Sequence, residues 1–267
     1  MSTKKVAQKE YYDSYKDFDE IELGVGGNGK ENEYRKRFLS RRAEKMAKIA
    51  GLEPDSTILE VGCGTGIYST YWVKSSRKFY GLDISRGMLR RAATKIDSDK
   101  TLFVEADAEH LPFQDSSFNA VLSVNTIEHL DNLPLALKEM RRVCCDGGRI
   151  VLSVLNGNFS ARYRRKLMQV LNGFIAKIFA ERSLPKHAKA HSADFTHCDL
   201  MMDDLVRLFA EVGVRVEHKI FMGFVPHQII PASVARYFII LEGLEKVLEK
   251  IPWIRAWGGT IIICGAK

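Results

Sequence analysis

The chain has 267 residues, 46% of them apolar, and a formal net charge of +7. That length holds one large α/β domain with insertions, and the composition is ordinary for a globular protein. No stretch approaches the roughly 18–20 unbroken apolar residues that cross a bilayer. The opening MSTKKVAQKE has charge but no apolar run behind it, so no secretory leader is expected. The expected compartment is the cytoplasm, with membrane association left open.

Cys63, Cys144, Cys145, Cys198 and Cys264 include no CxxC pair and no Cys/His set at zinc spacing. They read as reduced thiols packed as small apolar residues, and no metal is expected. The basic surplus is local. Residues 156–191 hold eight Lys/Arg against Glu181 alone, which points to an anionic partner: a membrane face, an acidic substrate or a nucleic acid.

In chain order, residues 32–50 place Phe38, Leu39, Met46 and Ile49 near helical spacing, with Gly51 as a cap. From residue 57 short β-rich runs alternate with helical stretches. Strands are predicted at 57–61, 79–83, 101–105, 118–124 and 148–154, with helices near 67–75, 86–96 and 134–143. A helix near 199–211 leads into VRVEHKIF at 214–221, and GGTIIICGAK closes the chain. Such alternation predicts a doubly wound, mostly parallel sheet with helices on both faces. Two long segments, 156–197 and 222–257, break the rhythm where a few connecting residues are usual.

Residues 58–66 read ILEVGCGTG: a β run ending at Glu60 and Val61, then Gly62, Cys63, Gly64 and Gly66. Glycines at a strand-to-helix turn let backbone approach a ligand that a Cβ would push away. The next helix offers its unpaired N–H groups there. This GxGxG differs from the dinucleotide GxGxxG, and no GxxxxGK[ST] occurs. Asp83, in GLDIS, ends the second predicted strand, where a carboxylate can accept ribose hydroxyls. Asp107 lies just past the third, placed to take an adenine amino group beside Ala108. Ligands of open α/β sheets collect at these strand ends.

Together ILEVGCGTG, GLDIS, EADAEHLPFQDSSFNAVLSVNTIEHLDN and LKEMRRVCCDGGRIVLSV resemble the sequential motifs of class I S-adenosylmethionine-dependent methyltransferases, nearest the ubiquinone/menaquinone (type 11) small-molecule group. The resemblance covers about residues 55–155, with a weaker match at 199–221. It implies a seven-stranded Rossmann-like sheet whose last strand runs antiparallel. It also implies S-adenosylmethionine contacts at Glu60, Gly62, Cys63, Gly64, Gly66, Asp83, Ile84, Met88, Asp107, Ala108 and Asn125, with Ile84 and Met88 sandwiching the adenine. Tyr12 is a candidate to close over the cofactor, and a merely packed or exposed ring is the competing account. On this reading residues 1–51 form a helical region over the cofactor. Residues 52–155, 198–221 and 258–267 form the binding domain, and 156–197 and 222–257 form a helical acceptor cap.

Methyl transfer from a sulfonium is an in-line displacement, so alignment and water exclusion dominate, and a base is needed only where the acceptor must lose a proton. SVNTIEHLDN contains no [DN]PP[YF], and the chain has no Pro-Cys pair, which disfavours nucleic-acid bases as acceptors. Candidate acid/base residues are His129, His191 and His197. Within 159–179, Phe159, Tyr163, Leu167, Val170, Phe174 and Ile178 recur at helical spacing among basic residues. A cap over the acceptor, a membrane-surface helix and a nucleic-acid face all remain open for it. With the apolar 222–257, the expectation is a small, hydrophobic acceptor. A protein or RNA methyltransferase, or a non-catalytic cofactor-binding regulator, stands as the alternative.

Overall fold

In the computed structural model, the described residues are 2–15, 18–19, 33–96, 98–157, 199–224, 238–251, 254 and 257–267. Helices α1 (Thr3–Ser14) and α2 (Glu33–Ala50) precede the sheet. Then come β1 (Thr57–Val61), a short α3 (Ser69–Trp72), β2 (Lys78–Asp83), α4 (Arg86–Lys95), β3 (Thr101–Glu105) and β4 (Phe118–Val124). The chain continues through α5 (Leu133–Val143), β5 (Cys144–Leu155), α6 (Met202–Glu211), β6 (Arg215–Met222), α7 (Phe238–Leu248) and β7 (Thr260–Ala266).

The seven strands take the order β3-β2-β1-β4-β5-β7-β6. β1 to β5 pair in parallel, and β7 runs antiparallel between β5 and β6. Mostly parallel sheets are covered on both faces, so their central strands are apolar throughout. TILEV and TIIICGA meet that demand: all of β1 and all but the last residue of β7 are buried. Alternate residues then divide between two cores. Ile58, Ala120, Leu122, Val151 and Ile262 pack under Phe38, Leu39, Met46 and Trp72 on one face. Leu59, Val121, Ile150, Leu152, Ile261 and Ile263 pack under Leu137, Met140, Leu205 and Phe209 on the other.

Helix α2 is thus one of the covering layers. It carries its apolar stripe on Phe38, Leu39, Ala43 and Met46, and Gly51 (φ 62°) ends it. Trp72 is fixed beneath it by an Nε1–H donated to the Ala43 carbonyl at 3.1 Å. Two buried residues of the helix are out of character, Arg35 and Arg42.

Two elements differ from the sequence expectation. The helix foreseen near 67–75 is broken into α3 and a 3-10 turn at Val73–Ser75. β5 begins at Cys144 and not at 148, because Phe118 pairs with Cys144 before the register shifts to Ala120 opposite Arg149. Cys144 therefore caps the preceding helix and opens a bulged strand. Burial pushes the Cys144 thiol up to about 12, which makes it an unreactive core residue.

Candidate functional site

Because β2 and β3 lie to one side of β1 and β4 to the other, the sheet reverses direction beside β1. Such a switch point opens a crevice at the carboxyl ends of the strands. The glycine bend sits there. Gly62, Gly64 and Gly66 have φ of 74°, 52° and 77°, the left-handed region that disfavours a side chain. Gly62 has a second reason: a Cβ on it would lie 2.1 Å from Thr126 Oγ1. Over Gly64 the same construction meets nothing within 4 Å, so open space lies above the bend.

Asp83 holds the bend from the end of β2. Its Oδ2 accepts the Gly64 N–H at 2.8 Å and its Oδ1 accepts the Ser85 N–H at 2.9 Å. Burial pushes its carboxyl above the usual range, opposed by those backbone donors. Glu60, one strand away, is sealed in the core and accepts a hydrogen bond from the Ser69 hydroxyl. Burial raises it to about 8, Ser69 opposes the rise, and the Asp83 charge adds to it. Cys63 is buried, its N–H donating to the Leu82 carbonyl at 2.9 Å, and burial pushes its thiol well up.

The first helix lies across this rim. Lys5 Nζ is 2.6 Å from Asp107 Oδ2 and 2.7 Å from Glu109 Oε2. Burial alone would lower the Lys5 pKa, but its bonds to those carboxylates outweigh that and hold it above the ordinary lysine value. Lys9 pairs with Glu105 and donates to the Ile84 carbonyl, and Asp13 takes the Gly87 N–H at 2.7 Å. Met88 is buried in α4, with its N–H on Ser85 Oγ, and Ala108 is buried beside Asp107. Gln8 reaches the His129 carbonyl at 3.0 Å, while the Tyr12 and His129 rings meet edge to face at 6.4 Å.

After β4 the chain makes a tight turn through Asn125, whose φ of 49° is unusual for a residue with a side chain. Thr126 rests its hydroxyl on the Gly62 carbonyl, and Ile127–His129 form one 3-10 turn. Arg42 from α2 enters here. It donates to Asn125 Oδ1 at 2.7 Å, Ser153 Oγ at 2.8 Å and Tyr68 Oη at 3.2 Å.

The fold thus brings Tyr12, Glu60, Gly62, Cys63, Gly64, Gly66, Asp83, Ile84, Met88, Asp107, Ala108, Asn125 and His129 to the carboxyl ends of β1 to β4, with Glu60, Cys63, Met88 and Ala108 buried. His191 and His197 lie outside the described residues. Sequence reasoning missed Lys5, Arg42, Ser69, Glu109 and Glu128. Only Arg42 carried a signal, as a charge on the apolar stripe four residues from both Phe38 and Met46.

An adenosyl group fits this chemistry: open space over Gly64, a carboxylate ending β2, another beyond β3, and a buried acid ending β1. Residues 59–152 match the family model described as a methyltransferase domain. It is this segment that is similar to methyltransferases, 94 of the 267 residues. A malonyl-(acyl-carrier protein) O-methyltransferase of Erwinia billingiae is 30% identical to the chain over 169 residues, 63% of this chain and 65% of that protein. A sterol 24-C-methyltransferase of Gibberella zeae is 33% identical over 117 residues, 42% of this chain and 31% of that one. The chain thus spans less than two thirds of these relatives' length. A solved S-adenosylmethionine-dependent methyltransferase of Thermotoga maritima superposes with a TM-score of 0.61 over 97% of this chain and 99% of that one. At 19% identity it shares the methyltransferase domain's fold. Among the described residues no helix is long and apolar enough to cross a membrane, and no group of three or more His, Cys, Asp or Glu could hold a metal.

Proposed function

We propose that the chain is an S-adenosylmethionine-dependent methyltransferase acting on a small, hydrophobic acceptor. The observation that carries this is the convergence of the open glycine bend with Asp83 and Asp107 on one rim of the sheet. The cofactor supplies a methyl group already activated on a sulfonium. The chain's work is to grip the adenosyl part, orient the acceptor and keep water out. Asp83 would take the ribose hydroxyls, Asp107 the adenine amino group and Glu60 the amino-acid end. Tyr12, on the helix above, would shield the sulfonium. His129, His191 and His197 remain candidate acid/base residues for the transfer.

A hydrophobic acceptor is supported by two features. One relative acts, by its name, on a sterol, an apolar acceptor, while another acts on an acyl-carrier-bound malonyl group, which is anionic and does not favour this reading. On α7, Ile240, Leu244 and Val247 recur at helical spacing and stand exposed beside Ile239, with Trp257 beyond. With the basic segment 156–191, that face would suit peripheral contact with an anionic membrane. The test is calorimetry with S-adenosylmethionine, then labelled-methyl transfer to separated lipid, protein and RNA fractions. Binding with label in lipid or small metabolites supports the proposal, and label in protein or RNA replaces the acceptor class. Binding without transfer would make the chain a regulator. Sedimentation with anionic vesicles at low salt tests the membrane contact.

A further inference from the structure

A hollow lies at the other end of the sheet. Thr57 opens β1, Phe118 opens β4 and Tyr80 stands in the first half of β2, at the amino ends of strands whose carboxyl ends lead to the glycine bend, Asp83 and Asn125. With Pro112, Phe113, Gln114 and Ser117 they line a cavity of about 250 Å³. Pro112, Gln114 and Ser117 are exposed, so it opens to solvent.

One wall is a set of rings. Tyr80 meets Phe113 and Phe118 edge to face, with centroids 5.7 Å and 5.3 Å away, and Phe113 meets Phe118 in the same way at 5.0 Å. Aromatic quadrupoles attract in this geometry, and a further ring can join on the same terms. A cavity of about 150 Å³ already admits benzene, so this one has room for a ring and a substituent. Leu102, the β3 partner of Tyr80, is 54% exposed and extends the apolar surface beside the rings.

The edge of the hollow is cationic. Arg77 Nη2 donates to Oγ1 of the lining Thr57 at 3.3 Å, which brings the guanidinium to the cavity. The Thr57 N–H is itself held by Asn119 Oδ1 at 2.8 Å, so this anchor is fixed. Among the described residues Arg77 enters no ion pair within 4.0 Å, and most of its five N–H groups are left for a ligand. Lys78 and Lys100 nearby are exposed. The acid of the lining loop, Asp115, is already paired with Arg142 at 2.7 Å.

We propose that this cavity is a second ligand site, separate from the crevice at the glycine bend, and that it takes one aromatic ring carrying a carboxylate. The ring packs among Tyr80, Phe113 and Phe118. The carboxylate accepts from Arg77, whose planar fork matches its two oxygens. A neutral ring forgoes the guanidinium, and an aliphatic acid forgoes the rings. The site does not depend on the methyltransferase reading.

The test titrates the full chain with benzoate, benzamide and acetate while backbone amide NMR signals are followed. Benzoate should shift Thr57, Tyr80, Phe113 and Ser117, leave Gly62–Gly66 in place and saturate at one ligand per chain. Benzamide and acetate should bind at least about tenfold more weakly. Arg77→Gln should weaken benzoate about tenfold and leave benzamide within about twofold, a split that a loosened fold would not give. Ser117→Trp, which adds an indole to the lining, should abolish the benzoate shifts. Saturation with S-adenosylhomocysteine should leave benzoate affinity within about twofold. The proposal is overturned by no saturable benzoate binding, by shifts confined to Gly62–Gly66, by benzamide binding as well as benzoate, or by an Arg77→Gln variant that binds benzoate like the wild type. Failure of S-adenosylhomocysteine to bind sinks the methyltransferase reading and leaves this site standing.

Discussion

Lys5 Nζ lies 2.6 Å from Asp107 Oδ2, so the carboxylate expected to meet an adenine amino group is already held by a lysine of the first helix. Lys5 is also shared with Glu109 at 2.7 Å, and all three groups are largely shielded from water. A ligand that uses Asp107 must share the carboxylate with this lysine or displace it.

Replacing Lys5 with Met should therefore tighten S-adenosylmethionine binding by about 3–10-fold, equivalent to roughly 0.7–1.4 kcal/mol. The gain should lie in a faster association rate, since the helix no longer has to be pulled off first. Stopped-flow fluorescence or calorimetry reads both. Weaker binding in the variant would mean that Lys5 supports the site and does not compete for it.

The glycine bend predicts a contrast between neighbours. Gly62→Ala would drive its methyl group to 2.1 Å from Thr126 Oγ1 at a φ of 74°. That should cost at least about 2 kcal/mol of stability and displace the turn that carries Glu128. Gly64→Ala meets nothing within 4 Å, so only its φ of 52° is penalised, by about 1–2 kcal/mol. It should fold yet lose cofactor binding, because its methyl group fills the open space. Thermal melts with calorimetry separate the two, and full binding by Gly64→Ala would place the ligand elsewhere.

Glu60 predicts a pH dependence. Its folded value of about 8 stands above the ordinary 4.5, so the fold favours the protonated acid. That stability is fully present below about pH 4.5 and is lost as pH rises toward 8. Glu128, raised to about 7, acts in the same direction over a narrower range. Tm should fall between pH 5 and pH 8, as an order-of-magnitude window from these shifts, and Glu60→Gln should flatten the curve. A positively charged ligand beside Glu60 would pull its proton off, so the binding enthalpy at neutral pH should depend on the buffer's ionisation heat. An unchanged melting profile in Glu60→Gln would contradict the buried, protonated acid.

Much of the rim was legible in the sequence because its parts are local. A β run followed by spaced glycines dictates its own turn, and Asp83 and Asp107 are read from their places at strand ends. The order of the strands and the antiparallel β7 entered through resemblance, since nothing within TIIICGA encodes which neighbours it meets. What stayed hidden was long-range pairing. Lys5 looks like any charge near the start of a chain until Asp107, 102 residues away, closes on it. Glu128 differs from a solvated turn carboxylate only by its burial, to which residues far away in sequence contribute. The start of β5 was misplaced because helix and strand periodicity are indistinguishable across the two or three residues where α5 passes into β5.

Arg42 ties four stretches of chain at one point: its own helix, Tyr68 behind the glycine bend, Asn125 after β4 and Ser153 in β5. No one of these can drift without straining the others, so the covering layer and the crevice should open to solvent as a single cooperative unit. Amide exchange in Phe38–Met46 and in the turn at 125–129 should then proceed at matched rates, and a bound ligand should slow both together.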